Sequence, residues 1–435
     1  MEVNRQAPRK IFWGWYVVAG AFITVAINYG SRYSFGVFLK PMCEDLGWSR
    51  SVVSFAMSLY FFFYGVGGVI SGRLLDLFAP RWVIVAGSSV MAAGFFLTPF
   101  ISTPLQLYLV YGVVCGISSA FFGSVVGIGS VGKWFIRKRG LAIGITSMGI
   151  GFGTMLLTPL AGTIVKYFDW KTAFFVLAAA IFLVCTVLSQ YFMGKRRPED
   201  YGLLADGAMA TPQPAPAPPL RAGKLSYRET TRILMKDSRF WIINICFGFA
   251  TMSVMTVFAH QVPYVEEYGI DPIVAAATLG VIAVASIAGR FFFGWLSDRL
   301  GDPRHSACLG FACMALAMII LLFFHSLESF YLYACLFGFG YGSLTAMYAI
   351  LNINRFGTDI SGTAIGLTNF FGTGLGGCLG PIFGGIIYDT MGSYTFAWQV
   401  NLGVLLGVTA LIQFLKPALA PAALSPDRAS AGKYR

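Results

Sequence analysis

The chain has 435 residues, 57% of them hydrophobic and 11% charged, whereas a soluble domain carries about 25% charged residues. Apolar runs of about 20 residues recur from one end to the other, and each is long enough to cross a hydrocarbon core of about 30 Å. These features exclude a soluble fold and predict an all-α membrane protein that crosses the bilayer many times.

The apolar runs predict twelve spanning helices, in two groups of six on either side of a polar segment. A Pro-rich tract at 211–219 lies in that segment and is typical of a semi-extended linker. We therefore expect a six-helix bundle at 1–192, a cytoplasmic linker at 193–239, and a second six-helix bundle with a cytoplasmic tail at 240–435. The predicted helices are 12–38, 51–71, 82–101, 106–130, 141–164, 172–192, 240–260, 272–296, 306–325, 330–352, 362–387 and 395–415.

Lysine and arginine are concentrated on one side of this predicted topology. The termini, the linker and alternate loops hold 25 of them, and the opposite loops hold only Lys40, Arg50, Lys166 and Lys171. Because basic residues mark cytoplasmic loops, we expect both termini in the cytoplasm and the protein in the cell (inner) membrane. The net charge of +12 is then a consequence of topology and does not indicate nucleic-acid binding.

Two basic residues, Arg32 and Arg290, are predicted to lie inside spans, while all 19 acidic residues fall in loops, tails or span ends. A cation within a span usually faces a water-filled cavity or a partner. Snorkelling to the headgroups is an alternative for either arginine. The interior therefore carries two permanent cations and no carboxylate, which favours an anion as ligand.

The two halves repeat at a constant offset of 222 residues. The offset relates Gly72 to Gly294, Asp76 to Asp298, Gly140 to Gly362, Gly144 to Gly366 and Pro159 to Pro381. Two parallel six-helix repeats are the architecture of the major facilitator transporters, in which the substrate site lies between the halves near the bilayer midplane.

Two copies of a loop motif follow the second and eighth predicted helices. Gly72-Arg73-Leu74-Leu75-Asp76 with Arg81, and Gly294-Trp295-Leu296-Ser297-Asp298-Arg299, resemble the loop motif of that superfamily. An aspartate there can cap a helix N-terminus and pair with a basic residue. The resemblance implies a latch that gates the cytoplasmic side and consists of Asp76, Arg81, Asp298 and Arg299, although a simple polar turn is an alternative.

Further motifs resemble the monocarboxylate transporter family, and they share much with the bacterial oxalate/formate antiporter branch. They are Trp13-Gly14-Trp15, the stretches 33–38 and 45–51, and the basic stretch 134–144 before a glycine-rich helix. The proton-coupled animal members carry a lysine at the position of Arg32 and an aspartate at that of Ser286. The usual proton pair is therefore absent from this sequence.

Polar side chains recur at helical spacing on four predicted helices, as the lining of a cavity requires. These side chains also have a purely structural interpretation. A hydroxyl can bond its own helix, a tyrosine can lie at the membrane interface, and His260 can be an ordinary interface histidine. The rows are Thr24, Asn28 and Arg32; Thr256 and His260; Ser286 and Arg290; and Tyr341, Thr345, Tyr348 and Asn352.

We expect a secondary transporter of small monocarboxylates of the lactate or pyruvate type, without a cofactor. Arg290 would hold the carboxylate through its planar fork. His260 would relay a coupled proton near neutral pH as well as contact the substrate, and Arg32 would draw the anion inward. The remaining substrate-binding candidates are Tyr341, Asn28, Ser286, Phe121, Phe122 and Asn369.

Other functions fit the sequence less well. An oxalate/formate-type exchanger is the main alternative, but the second cation expected of that branch in the eleventh helix is absent. A drug or cation exporter usually needs a carboxylate within the membrane. An enzyme or a metal site needs a nucleophile–base pair or a ligand cluster, and the eight cysteines are scattered without such spacing. The expected partners are a small organic anion, a proton and the lipid bilayer.

Overall fold

The computed structural model describes residues 12–194, 197–207 and 226–416, and these residues form helices without a β-strand. Twelve long helices, α1 to α12, account for most of them. Their bounds are Trp13–Tyr33, Arg50–Leu77, Pro80–Leu97, Pro104–Val131, Arg139–Tyr167, Trp170–Phe192, Ser238–Glu266, Pro272–Arg299, Pro303–Phe323, Leu327–Phe356, Ser361–Met391 and Thr395–Gln413.

Within the described residues, α2 to α12 are the eleven helices that are long and apolar enough to cross a membrane. The helix α1 is not among them, because tryptophans and tyrosines near its ends and Asn28 lower its mean hydropathy. It nevertheless packs along α5 as a member of the bundle. The predicted all-α fold with twelve membrane helices is therefore confirmed, although most helices extend a few residues beyond the predicted apolar runs.

Residues related by the 222-residue offset perform the same task in both halves. A helix at Phe35–Leu46 continues α1 after an interruption at Ser34, contains Pro41, and ends at Gly47 with a φ of 68°. In the second half, α7 contains Pro263, and Gly269 follows it with a φ of 75°. Only glycine adopts this left-handed conformation without strain, so the sequence repeat corresponds to a structural one.

The two halves contact each other through α2 against α11 and α5 against α8. Gly72 lies against Gly362 and Gly366, and Gly294 lies against Gly140 and Gly144. A Cβ atom at Gly72 or at Gly140 would meet the backbone carbonyl of the facing helix. Because the offset relates one glycine contact to the other, these two interfaces are equivalent positions of the repeat. They close one end of the bundle, which we call the latch end.

Irregular turns interrupt the helices next to the centre of the bundle. Residues 120–123 break α4, so that Ser124 begins its last helical segment. A π-helical stretch, Phe370–Gly376, lies within α11. Such stretches are rare and are frequently found at functional sites. Ser124, after the first interruption, and Thr373, within the second, line the same central cavity.

The described parts of the linker pack against the latch end. The ring of Tyr201 contacts those of Trp13 and Trp134 at tilted angles, with ring centroids 5.6 and 5.8 Å away. Asp206 accepts backbone hydrogen bonds from Ile136, Arg137 and Lys138. A linker helix, Tyr227–Lys236, starts with a capping box of Ser226 and Glu229. The predicted Pro-rich tract at 211–219 and both chain termini lie outside the described residues.

Candidate functional site

A small cavity lies between the two halves. Helices α1, α4 and α5 contribute to it from one half, and α7, α10 and α11 from the other. Its polar lining consists of Tyr29, Arg32, Tyr33, Ser124, Thr251, Tyr341, Thr345, Tyr348, Thr368, Asn369 and Thr373.

Arg32 supplies the positive charge on the wall of this cavity. Its side chain is almost fully buried, with 1% exposure, and five aromatic rings surround its guanidinium. The ring centroids lie 4.1 to 5.6 Å away and belong to Tyr29, Tyr33, Tyr60, Phe61 and Tyr64. Such contacts stabilise a cation through the ring quadrupole but leave its N–H donors unused.

Two donors of Arg32 have no hydrogen-bond partner within the described residues. Its Nε and Nη1 atoms are buried without a hydrogen-bond partner, and it forms no ion pair with any carboxylate in the described part of the chain. A buried charge is costly unless it is paired. The sequence predicted that Arg32 draws the anion inward, and the structure places it on the cavity itself.

Arg290 lies one layer further from the cavity. It is 1% exposed, its Nη1 donates to the hydroxyl of Ser286, and its guanidinium lies 5.2 Å from the ring centre of Tyr341. Neither Arg290 nor Ser286 lines the cavity, whereas Tyr341 does. Tyr341 is thus a cavity-lining residue that the Arg290 guanidinium contacts.

Three predicted substrate contacts instead hold helices together. The carboxamide of Asn28 donates to the backbone oxygen of Ser119 at 2.9 Å. Phe122 is fully buried in the core, and Phe121 packs against Gly87 of α3. None of the three lines the cavity. An apolar or amide side chain at helical spacing fits a packed interior as well as a cavity, which is why the pattern did not separate them.

His260 also lies away from the cavity. Its Nε2 atom is 2.8 Å from the backbone oxygen of Pro381 on α11, and its ring centre is 5.2 Å from that of Tyr394. The imidazole therefore lies between α7, α11 and α12. The structure does not bring His260 to the central cavity in this conformation, contrary to our expectation of a direct substrate contact.

A cluster of hydroxyl groups forms the floor of the cavity. The Oγ of Ser124 accepts from Tyr29 at 3.1 Å and from Tyr348 at 3.2 Å, and Tyr64 lies within 3.1 Å of both Ser124 and Tyr29. Tyr348 belongs to the second half and the others to the first. The sequence did not reveal this cluster, because tyrosines on three helices carry no signal that they converge on one serine.

Asp76 forms one latch between the halves. Its carboxylate accepts from the backbone N–H groups of Gly362 at 3.0 Å and Thr363 at 2.7 Å, at the start of α11, and from the Thr363 hydroxyl at 2.8 Å. Lys133, which is 6% exposed, lies 3.5 Å from it. The predicted partner Arg81 instead lies over the ring of Trp82.

Asp298 forms the equivalent latch at α5. It accepts from the backbone N–H groups of Gly140 at 2.7 Å and Leu141 at 2.8 Å. Arg299 turns away and stacks on Trp295 at 4.4 Å. The offset relates Lys133 to Arg355, but Arg355 forms two hydrogen bonds with Asp302. Each latch thus binds a helix N-terminus, and among the described residues only Asp76 also forms an ion pair, with Lys133.

The cavity continues toward the end opposite the latches. A wider vestibule lies there, between the end of α1, the start of α2, the end of α7 and the later part of α11. Tyr33 and Met255 line both the vestibule and the cavity. The vestibule therefore adjoins the cavity on the side away from the contacts of Asp76 and Asp298.

The sequence profile of the Major Facilitator Superfamily matches residues 21–381. The chain belongs to this superfamily. It is 27% identical to monocarboxylate transporter 12 of Xenopus laevis, covering 93% of this chain and 90% of that protein. It is 25% identical to human monocarboxylate transporter 2, covering 89% and 82%. The resemblance to monocarboxylate transporters is therefore confirmed over most of the chain.

A solved major facilitator transporter, FucP in the outward conformation, has the same fold. It superposes with a TM-score of 0.70 at 14% identity and covers 92% of this chain and 99% of its own. At this identity the similarity concerns the fold alone. The superfamily and the relatives of this chain named above consist of transporters. This chain is therefore a multi-pass membrane transporter and not an enzyme.

Proposed function

We propose that this protein transports small monocarboxylates of the lactate or pyruvate type by alternating access. The carboxylate binds at Arg32 in the cavity between the halves. The observation that carries the proposal is this buried guanidinium, which has two free donors and no carboxylate partner in the described residues. The names of the monocarboxylate transporters to which the chain is similar support the same substrate class.

Arg290 has a second role in this proposal. Because Tyr341 separates it from the cavity, its charge attracts the anion without a direct contact in the conformation described above. A turn of the Tyr341 ring would open a path between the guanidinium of Arg290 and the cavity. We propose that Arg290 takes over the carboxylate as the protein changes conformation. Its planar fork fits a carboxylate in a way that an ammonium group does not.

We propose that transport is coupled to a proton and that the latch end faces the cytoplasm of the cell membrane, as the lysine and arginine distribution favours. No Asp, Glu or His lines the described cavity. The substrate carboxyl is then the group at the cavity that can carry the proton. An exchanger of the oxalate/formate type would instead need a counter-anion on the far side of the membrane.

Binding and uptake by purified protein test this function. With radiolabelled lactate and pyruvate, Arg32→Ala should weaken binding by roughly 10-fold to 150-fold, because a hydrogen bond to a charged group contributes about 1.5–3 kcal/mol. Arg290→Lys should impair uptake nearly as much as Arg290→Ala, since lysine lacks the fork. Arg299→Ala is the matched control, because this arginine is exposed at the end of α8, the helix that carries Arg290. Unchanged binding in Arg32→Ala would refute the proposal.

A further inference from the structure

The linker helix, Tyr227–Lys236, lies at the surface of the membrane. Only Asp237 separates it from α7, which is a membrane helix, and the linker helix contacts both α7 and α11. The indole N–H of Trp241, in the first turn of α7, donates to the backbone oxygen of Met235 at 2.8 Å. The linker helix is therefore held near the depth at which α7 enters the bilayer.

The exposed face of the linker helix is basic. Arg228, Arg232 and Lys236 are spaced four residues apart, so they share one face of the helix, and all three are exposed. None of them forms an ion pair within the described part of the chain. A shallow groove, which we call the basic groove, runs beside this row. It is lined by Tyr227, Arg228, Glu229, Thr231, Arg232 and Met235.

The charge around the basic groove is positive. The carboxylate of Glu229 already accepts the backbone N–H of Ser226 at 2.8 Å in the capping box. Arg73, near the end of α2, adds a third guanidinium, which lies 6.0 Å from the ring centre of Tyr227. The planar fork of an arginine matches the oxygens of a phosphate group. The basic groove therefore fits a phosphate that carries a net negative charge.

A second groove starts beside the linker helix and runs along the outer surface of the protein between α7 and α11. Apart from Asn244 its lining is apolar, and we call it the apolar groove. Along α7 it extends from Trp241 to Met252, which is roughly 16 Å at about 1.5 Å per residue. This length is about half of a hydrocarbon core of about 30 Å, and thus the depth of one leaflet. Its exposed lining side chains include Trp241, Ile245, Phe249, Leu375 and Leu379.

The two grooves meet where Trp241 bonds Met235, because Met235 lines the basic groove and Trp241 lines the apolar groove. A ligand that occupies both carries a negative charge at the membrane surface and a hydrocarbon chain below it. An anionic phospholipid has both parts in this order. A zwitterionic phospholipid fills the apolar groove equally well, but its own cation offsets the attraction of the arginines.

We propose that the latch end binds one anionic phospholipid, with its phosphate at Arg228 and Arg232 and one acyl chain in the apolar groove. Each basic residue near a membrane surface strengthens the binding of anionic lipid by about fivefold. The bound lipid ties the linker, which joins the two halves, to the membrane beside α7 and α11. This lipid site is independent of the transported substrate.

Native mass spectrometry of the purified full-length protein in detergent tests the site. The protein is titrated separately with phosphatidylglycerol, with phosphatidylcholine of the same chains, and with inorganic phosphate. We expect one phosphatidylglycerol per chain, bound at least about tenfold more tightly than phosphatidylcholine, and no retained phosphate. Equal binding of the two lipids, or phosphate retained as tightly as lipid, would overturn the proposal. A dimer that excludes the lipid would also overturn it, because the apolar groove would then hold a second copy of the chain.

Charge variants locate the headgroup. Arg228→Gln/Arg232→Gln should weaken phosphatidylglycerol binding by about 25-fold, the product of two fivefold contributions, and Arg228→Lys/Arg232→Lys should restore most of it. Arg137→Gln/Lys138→Gln is the matched control, because it removes the same charge from the exposed loop before α5, which lines neither groove. We expect unchanged binding in this control. An equal loss in both glutamine variants would show that only the net charge matters and would overturn the site.

Gly248→Leu locates the acyl chain. Gly248 lines the apolar groove, and a Cβ atom there would meet only the carbonyl oxygen of Phe371, at an ordinary contact distance of 3.5 Å. A leucine therefore occupies part of the groove, and the binding of both lipids should fall several-fold at an unchanged unfolding temperature. Gly403→Leu on α12 is the control, because a Cβ atom there has no neighbour within 4 Å. Undiminished lipid binding in Gly248→Leu would overturn the placement of the chain.

Discussion

Asp298→Asn should favour separation of the two halves at the latch end. The size of this effect can be estimated from the contacts of the Asp298 carboxylate. Asp298 binds the backbone N–H groups of Gly140 and Leu141. These belong to the first turn of α5, where N–H groups have no partner within the helix. Removing the charge weakens two charge-assisted bonds across the interface. Asparagine keeps one acceptor oxygen, so about one of the two bonds is lost. With about 1.5–3 kcal/mol for a hydrogen bond to a charged group, the opening equilibrium should shift by roughly 10-fold to 150-fold.

Hydrogen–deuterium exchange of peptides covering 138–144 and 361–367 measures this shift. If the halves separate as rigid bodies, exchange in Asp298→Asn should rise at both peptides by similar factors, although Asp76 still holds the second one. Asp302→Asn is the control, because this carboxylate bonds Arg355 and Arg304 within the second half. Faster exchange at 138–144 alone would refute the reasoning, since Asp298 would then be a helix cap and not a latch.

Asp76→Asn is a poorer first test, because it perturbs more than the interface. The Lys133 ammonium lies 3.5 Å from Asp76 and is nearly buried. Breaking a buried ion pair by removing one partner costs about 3–5 kcal/mol. Asp76→Asn should therefore lower the thermal stability of the protein as well as its turnover, whereas Asp298→Asn should act mainly on turnover.

Three further predictions concern the floor, the linker and coupling. Tyr348→Phe removes the hydroxyl that joins the halves at Ser124; it should change turnover about fivefold, from about 1 kcal/mol per hydrogen bond, with little effect on unfolding temperature. Asp206→Asn should speed amide exchange at 136–138, because the Asp206 carboxylate accepts hydrogen bonds from these backbone N–H groups. Unchanged exchange would contradict a stabilising contact between the linker and this loop. In proteoliposomes with an alkaline interior, wild type and His260→Ala should both accumulate lactate, because His260 is held at Pro381. Loss of the response in His260→Ala would restore the proton relay expected from the sequence, and a strict need for an internal counter-anion would indicate exchange.

The sequence indicated which helices carry the two cations, but it did not indicate which of the two cations lines the cavity. Helical spacing indicated that Arg32 and Arg290 lie on polar faces of their helices. Which of them lines the cavity depends on how far each helix is rotated in the bundle, and Tyr341 from a third helix decides it. The same rotation carries Asn28 to Ser119 and His260 to Pro381.

The latch shows the same division. The repeated motif identified Asp76 and Asp298 because the offset of 222 is a property of the sequence. It also suggested Arg81 and Arg299 as partners, since they follow closely along the chain. The observed partners are the N–H groups of α11 and α5, and for Asp76 also Lys133. Arg81 and Arg299 lie close to the aspartates along the chain, but the two carboxylates bind the N-termini of the facing helices instead.

The sequence by itself determined a twelve-helix membrane transporter with two repeated halves and two cations in its interior. Hydropathy, charge and internal repetition can be read along the chain without knowledge of its three-dimensional contacts. Only the tertiary structure decided which side chains meet. The hydrogen bond between Ser124 and Tyr348 joins residues 224 positions apart, and the one between Asp76 and Thr363 joins residues 287 positions apart. Contacts over such separations follow from how each helix is rotated in the bundle, which the sequence pattern does not specify.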